Sequence, residues 1–281
     1  MRILLTGRNG QVGWELERAL PALGDLIATD HTGLNLENKD DVRRVVREVR
    51  PDLIVNAAAY TAVDKAESER ERAMQVNAVA PGLFGDEAKR LGALLVHYST
   101  DYVFGGEKRS PYTEDDTPNP VSHYAQTKLA GERAIAESGC RYLILRTSWV
   151  YGPRAANFYQ VIARKAVAGE SMRMVDDQTS VPTPSTFAAG YTLALLRKGA
   201  SGVLHLVPSG KATRYEFARE VVKVMDSRSK VEPARTAEFP TPAQRPVYSA
   251  LDNRKAAALL GGALPDWQSL LGAAIKEWTR A

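Results

Sequence analysis

Arg2-Ile3-Leu4-Leu5-Thr6-Gly7-Arg8-Asn9-Gly10-Gln11-Val12-Gly13 is the stretch that decides the fold. A short apolar run, Arg2 to Leu5, enters a turn with glycine at every third position. A helical pattern follows, because Val12, Leu16 and Leu20 recur every fourth residue. Glycines in such a turn let a pyrophosphate approach closely, and the helix N-terminus offers free N–H groups and a favourable dipole. The spacing is G-x-x-G-x-x-G rather than the general G-x-G-x-x-G. Asp30 closes the second apolar run, where an acid accepts hydrogen bonds from an adenosine ribose. Gly7, Gly10, Gln11, Val12, Gly13 and Asp30 are the first cofactor-binding candidates.

The pattern continues outward. Leu26 to Asp30, Leu53 to Asn56, Leu94 to Tyr98 and Tyr142 to Arg146 are further short apolar runs, as expected for strands covered on both faces. Between the second and third, Val42, Val45, Val46 and Val49 line one helical face, and Arg43, Arg44, Arg47 and Glu48 the other. Strand–helix alternation predicts a Rossmann-like, doubly wound parallel sheet over residues 1–150. Beyond 150, proline and glycine become frequent, with helical segments near 157–168, 185–197, 213–226 and 266–280. Residues 151–281 read as a smaller, mostly helical substrate lobe, with segments shared between the two lobes.

Composition narrows the classes. The chain has 281 residues, 44% hydrophobic and 25% charged, which excludes global disorder. Lys and Arg exceed Asp and Glu by 37 to 33, a net charge of +4. That excess suits an anionic ligand, and without a basic stripe it gives no reason to expect nucleic acid. Cys140 is the one cysteine, so no intramolecular disulfide forms. No apolar run approaches the roughly 20 residues of a membrane span, and no secretion signal opens the chain. A cytoplasmic protein is the expectation. His31, His97, His123 and His205 show no ligand spacing, so no catalytic metal is expected.

Tyr124-Ala125-Gln126-Thr127-Lys128 is the second signal. Of eleven tyrosines only Tyr124 has lysine four positions on, which on a helix places both on one face. A nearby ammonium lowers a tyrosine pKa from about 10 and makes a better proton shuttle. The pair follows a strand ending Tyr98-Ser99-Thr100-Asp101, and strand C-termini are where open α/β sheets bind ligands.

Together these residues resemble the extended short-chain dehydrogenase/reductase family over nearly the whole chain. The matches are Thr6-Gly7-x-x-Gly10-x-x-Gly13, Asn56-Ala57-Ala58-Ala59, Asn77, Ser99-Thr100, and Tyr124 with Lys128. Within that family, several segments are similar to the dTDP-4-dehydrorhamnose reductases: His97 to Phe104, Ala62 to Glu67, Arg146 to Tyr151, and Pro240 to Pro246. A dehydratase of the superfamily would show Asp-Glu after the threonine, and here Tyr102 stands at the glutamate's place.

The resemblance implies reduction of the 4-keto group of a dTDP-4-keto-6-deoxy sugar with NADPH or NADH. Tyr124 gives the proton, Lys128 holds the nicotinamide ribose, and Thr100 bonds the carbonyl. Asp101 orients sugar hydroxyls, and Val63 and Trp149 line the sugar site. Asn35 and Leu36 flank adenosine, and Ala59, Tyr60 and Thr61 pass the cofactor's middle. Trp149 also reads as core. Arg245, between prolines, reads either as a solvated loop arginine or as a diphosphate or thymine clamp. Asn157 fits a helix N-cap as well as a nucleotide contact. Asp30 disfavours a 2′-phosphate and Arg8 suits one, so both cofactors are expected to be accepted. A homodimer is the implied assembly. Some family members share magnesium across it, but only Glu15 is in place here and Pro184-Ser185-Thr186 offers no acid. Two other readings use the same scaffold: a different sugar-nucleotide reductase or epimerase, and a non-catalytic regulatory subunit resembling the beta subunit of methionine adenosyltransferase.

Overall fold

The computed structural model describes residues 1–278; the last three residues of the expected substrate lobe lie outside the described residues. The first half runs β1 (Arg2–Thr6), α1 (Gln11–Ala19), β2 (Asp25–Thr29), α2 (Lys39–Val49), β3 (Leu53–Asn56), α3 (Arg70–Met74), α4 (Ala80–Leu91), β4 (Leu94–Thr100), α5 (His123–Glu137) and β5 (Arg141–Thr147). The second half runs β6 (Val150–Tyr151), α6 (Phe158–Ala168), β7 (Met172–Val175), β8 (Thr179–Ser180), β9 (Thr183–Pro184), α7 (Ser185–Arg197), β10 (Gly202–His205), β11 (Ala212–Thr213), α8 (Arg214–Val224), β12 (Val231–Ala234), α9 (Arg254–Leu260) and α10 (Trp267–Trp278).

Six strands form one parallel sheet in the order β10-β5-β4-β3-β1-β2. The order reverses between β1 and β3, so a crevice opens beyond their C-terminal ends. Alternation along each strand fills both faces. Ile3 and Leu5 pack on the side of α1 and α7, and Leu4 packs on the side of α2 and α4. In α2 the four valines turn inward as the spacing requires, and the Asn38 side chain caps the helix by accepting from the N–H groups of Asp40 and Asp41.

The second half does not stay apart from the sheet. β10 pairs with β5, and α7 packs on α1, so residues beyond 150 complete the dinucleotide-type layer. A separate core of Tyr151, Tyr159, Ile162, Phe217, Val221 and Trp267 holds the smaller lobe. Short two-stranded ribbons pair β6 with β9, β7 with β12 and β8 with β11.

Candidate functional site

The crevice at the switch point is a cleft of about 680 Å³. Its floor starts at the β1–α1 turn. Gly7 takes a left-handed φ of +77°, and a Cβ there would lie 2.7 Å from the Ala58 nitrogen. Gly13 does not line the cleft. Its role is packing, since a Cβ would fall 2.0 Å from the Gly7 carbonyl oxygen. Gly10 is the glycine that faces the opening, where a Cβ would meet only the Gly7 oxygen, at 3.2 Å. Helix α1 has no side-chain cap and no acid in its first turn, so its leading N–H groups are available to an anion.

The wall opposite is the segment after β3. Asn77 pins it: its Oδ1 accepts from the Tyr60 N–H at 2.8 Å, and its Nδ2 donates to the Tyr60 carbonyl at 3.0 Å and to Thr127 Oγ1 at 3.1 Å. Asn77 lies in a π-helical turn, Gln75–Val79, between α3 and α4. Gly131 on α5 allows that close approach, because a Cβ would stand 2.1 Å from the Asn77 oxygen. Ala59, Tyr60 and Thr61 therefore line the cleft, together with Asn35 and Leu36.

At its inner end the cleft brings Thr100, Tyr124 and Lys128 together. Ser122 caps α5 and starts the helix so that Tyr124 and Lys128 share its sheet-facing side. The Thr100 hydroxyl lies close enough to Tyr124 to influence its ionisation. The expected depression of the Tyr124 pKa is not observed. Burial raises it, the nearby Thr100 hydroxyl opposes this, and Asp101 and Tyr102 add to the rise. Lys128 does not offset it because its amine turns inward, donating to the Tyr98 carbonyl at 2.6 Å and lying 3.2 Å from His97 Nε2. Burial lowers the Lys128 pKa to about 8, against the opposing field of Glu132.

Asp101 lines the cleft, with its carboxylate engaged by neighbouring hydroxyls. Its carboxylate is 2% exposed and accepts from Ser180 Oγ at 2.7 Å, Ser249 Oγ at 2.5 Å and Thr100 Oγ1 at 3.2 Å. It ties the end of β4 to the second lobe. Burial raises its pKa to about 6. Tyr102 stands edge-on to Tyr124, with ring centroids 6.3 Å apart.

The outer end holds Val63 and Trp149 in the cleft wall. Trp149 has φ +40°, an uncommon conformation for a bulky residue, and its ring lies 4.4 Å beneath the Arg214 guanidinium. Arg245 is not a cleft-lining residue. It forms a bidentate pair with Asp64, at 2.8 and 3.0 Å. Arg8 pairs with Glu17 and does not point into the cleft. The Asp30 carboxylate caps its own turn, accepting from Thr32 N–H and Oγ1 and from Gly33 N–H, with Asn9 on its second oxygen. These bonds, those from Thr32 first, hold its pKa down to about 2. Asn157 caps α6 through the Gln160 N–H. Among the described residues no group of three or more His, Cys, Asp or Glu side chains could hold a metal ion.

With the cleft defined, comparison with known proteins is decisive. Residues 1–280 match the RmlD substrate binding domain family. The chain is 43% identical to the dTDP-4-dehydrorhamnose reductase of Escherichia coli K12, with 95% of each chain covered.

The chain belongs to the RmlD family.

Crystal structures agree. The dTDP-4-dehydrorhamnose reductase of Clostridium acetobutylicum superposes with a TM-score of 0.95 at 36% identity, covering 99% of this chain and 100% of that one. The Bacillus anthracis reductase, solved in complex with NADP, gives 0.94 at 34% identity, with 98% and 99% covered. The cleft of this family member suits such a dinucleotide on its own geometry: an uncapped helix N-terminus, a glycine with room above it, and a partly exposed carboxylate at the far end of β2.

Three buried polar residues of the sheet lie outside the expected set: Thr6, Asn56 and His97. Thr6 and Asn56 belong to quoted motifs, and His97 shows no ligand spacing because its partners are an amide and an amine rather than a metal. Arg214 gave no signal at all, since nothing local marks a helix-starting arginine as a neighbour of Trp149.

Proposed function

We infer that this chain reduces the 4-keto group of dTDP-4-dehydrorhamnose to give dTDP-L-rhamnose. The observation that carries the reading is that one cleft brings together Thr100 at the end of β4 and Tyr124 on α5, with Lys128 one helical turn on. A dihydronicotinamide, NADPH or NADH, supplies hydride to the ketone carbon when bound. Gly7, Gly10, Gln11 and Val12 hold its pyrophosphate, Asp30 its adenosine ribose, and Ala59 to Thr61 its middle. The raised Tyr124 pKa keeps the phenol protonated through the neutral range, so it enters the reaction as an acid. Tyr124 gives its proton to the oxygen that gains charge. Thr100 turns its one hydroxyl hydrogen from Asp101 to the same oxygen, and Lys128, whose amine faces His97 and the Tyr98 carbonyl, holds the nicotinamide ribose.

Val63, Tyr102 and Trp149 surround the place for the sugar ring. Arg245 is already satisfied by Asp64, so its part is to stiffen the segment between Pro240 and Pro246 beside that place. Asp101 sets the position of Thr100 from behind. A homodimer and a cytoplasmic location, where nucleotide-sugar and dinucleotide pools meet, belong to the same proposal; light scattering tests the first.

The test is turnover of dTDP-4-dehydrorhamnose by the wild-type protein with each cofactor, followed by cofactor absorbance and product NMR. Cofactor oxidation with rhamnose stereochemistry supports the reading. Turnover of a different nucleotide keto sugar alone, or none with any, would overturn it.

A further inference from the structure

Lys128 ends in a buried chain of polar groups that no step above uses. Its Nζ lies 3.2 Å from His97 Nε2. His97 Nδ1 lies 3.1 Å from Asn56 Nδ2, and Asn56 Oδ1 accepts from Thr6 Oγ1 at 2.7 Å. The four residues come from α5, β4, β3 and β1, and all are at most 2% exposed. We propose that His97, backed by Asn56 and Thr6, is the positioning residue of Lys128, and that its imidazole tautomer follows the charge on the lysine.

Hydrogen counting fixes the first state and allows the second. An ammonium can only donate, so a charged Lys128 needs a lone pair on His97 Nε2. The neutral imidazole then carries its proton on Nδ1 and needs an acceptor, which is Asn56 with its amide oxygen facing the ring. Thr6, whose hydroxyl rotates freely, accepts from the amide nitrogen. An uncharged Lys128 has a lone pair and can reverse every bond. It accepts from Nε2–H, Nδ1 accepts from Asn56 Nδ2, and Thr6 donates to Oδ1. The amide orientation seen in the structure is the second arrangement, and a half-turn about one side-chain bond gives the first. The two states differ by one proton, carried by the lysine. His97 holds one proton in both.

The surroundings keep His97 neutral throughout. Burial, then the neighbouring Lys128, holds its pKa well below the ordinary imidazole value. Among the described residues no carboxylate bonds to the ring. Glu132, next along α5, faces Lys128 but is committed to Arg146 on β5, at 2.7 Å, and to Ser99. Tyr124 lies one turn before Lys128, and Asn77, which bonds to Thr127 beside it, is uncharged. The chain thus fixes where the amine sits and leaves its remaining hydrogen free to point into the cleft.

The inference rests on Lys128 being the working lysine, but its first test needs no substrate. Protein labelled with 15N-histidine is read by two-bond 1H–15N spectra at about pH 6.5 and about pH 9.5, on either side of the Lys128 transition. The His97 signal is assigned by its absence from His97→Gln, or by elimination with His31→Gln, His123→Gln and His205→Gln. The proposal expects the Nδ1–H tautomer at the lower pH and the Nε2–H tautomer at the higher. One tautomer at both values, the reverse order, or an imidazolium overturns it. In turnover, His97→Leu should lower kcat by roughly 10²-fold, the scale on which misplacing a reacting group by about 1 Å acts, while His97→Gln restores most of it. A folded His97→Leu protein with the wild-type kcat and pH profile also overturns it. If the substrate assignment alone is wrong, the spectra still show the tautomer exchange.

Discussion

Asp101→Asn should change stability in a pH-dependent way whose size follows from the structure. The carboxyl is buried between the two lobes, and its pKa rises from 3.8 to about 6, burial outweighing the hydrogen bonds from Ser249, Ser180 and Thr100. The folded protein therefore binds this proton more tightly than the unfolded chain does. The stabilisation is complete below about 3.8 and is lost as the pH rises through about 6. At about 1.4 kcal/mol per pH unit the whole difference is about 3 kcal/mol, and about 2 kcal/mol of it falls between about pH 4.5 and about pH 8. Asparagine fills the same space without a charge to bury, and Ser180 and Ser249 can accept from its amide. Relative to wild type, Asp101→Asn should thus be about 2 kcal/mol more favourable at the higher pH than at the lower. Urea unfolding of both proteins at both pH values measures this as a double difference. A stability gap that does not change with pH would show that the carboxylate ionises without cost, and that the raised pKa and its cause are wrong.

Four further outcomes follow from the cleft. Gly10→Ala should keep its melting temperature and lose cofactor affinity in a fluorescence titration, whereas Gly13→Ala should melt early because its Cβ would sit 2.0 Å from the Gly7 oxygen. Glu132→Gln should cost about 3–5 kcal/mol in denaturant unfolding, because it leaves the Arg146 guanidinium buried without its counter-charge. The ammonium of Lys128 is lost as pH rises through about 8, so kcat/KM for the keto sugar should fall on that alkaline limb, and a flat profile there would remove the lysine from the mechanism. Tyr124→Phe carries the largest kinetic effect.

Much of this was legible in the chain because the signals are local. The β1–α1 glycine turn, the five apolar runs and the α2 valines each sit within a few residues, and strand or helix period reads them directly. β10 was not legible. Gly202 to His205 is a four-residue strand whose place in the sheet depends on pairing with β5, far back in the chain. The site divides along the same line. Thr100, Tyr124 and Trp149 line one cleft. Asp101 takes partners 79 and 148 residues away, and Arg245 one 181 residues away, which no local pattern reports. Lys128 shows a subtler limit. Helical spacing correctly put it on the face of Tyr124, but a flexible four-carbon stem carries the amine elsewhere, toward His97 and the Tyr98 carbonyl.

The most direct test of the central claim is single-turnover reduction of dTDP-4-dehydrorhamnose by Tyr124→Phe beside wild type, with cofactor and substrate affinities measured on both. The change deletes one hydroxyl and keeps the ring against Tyr102. Removing a general acid should lower the rate by about 10²–10⁴-fold while both ligands still bind. Reduction at the wild-type rate would mean that another group protonates the ketone and that Tyr124 only lines the cleft.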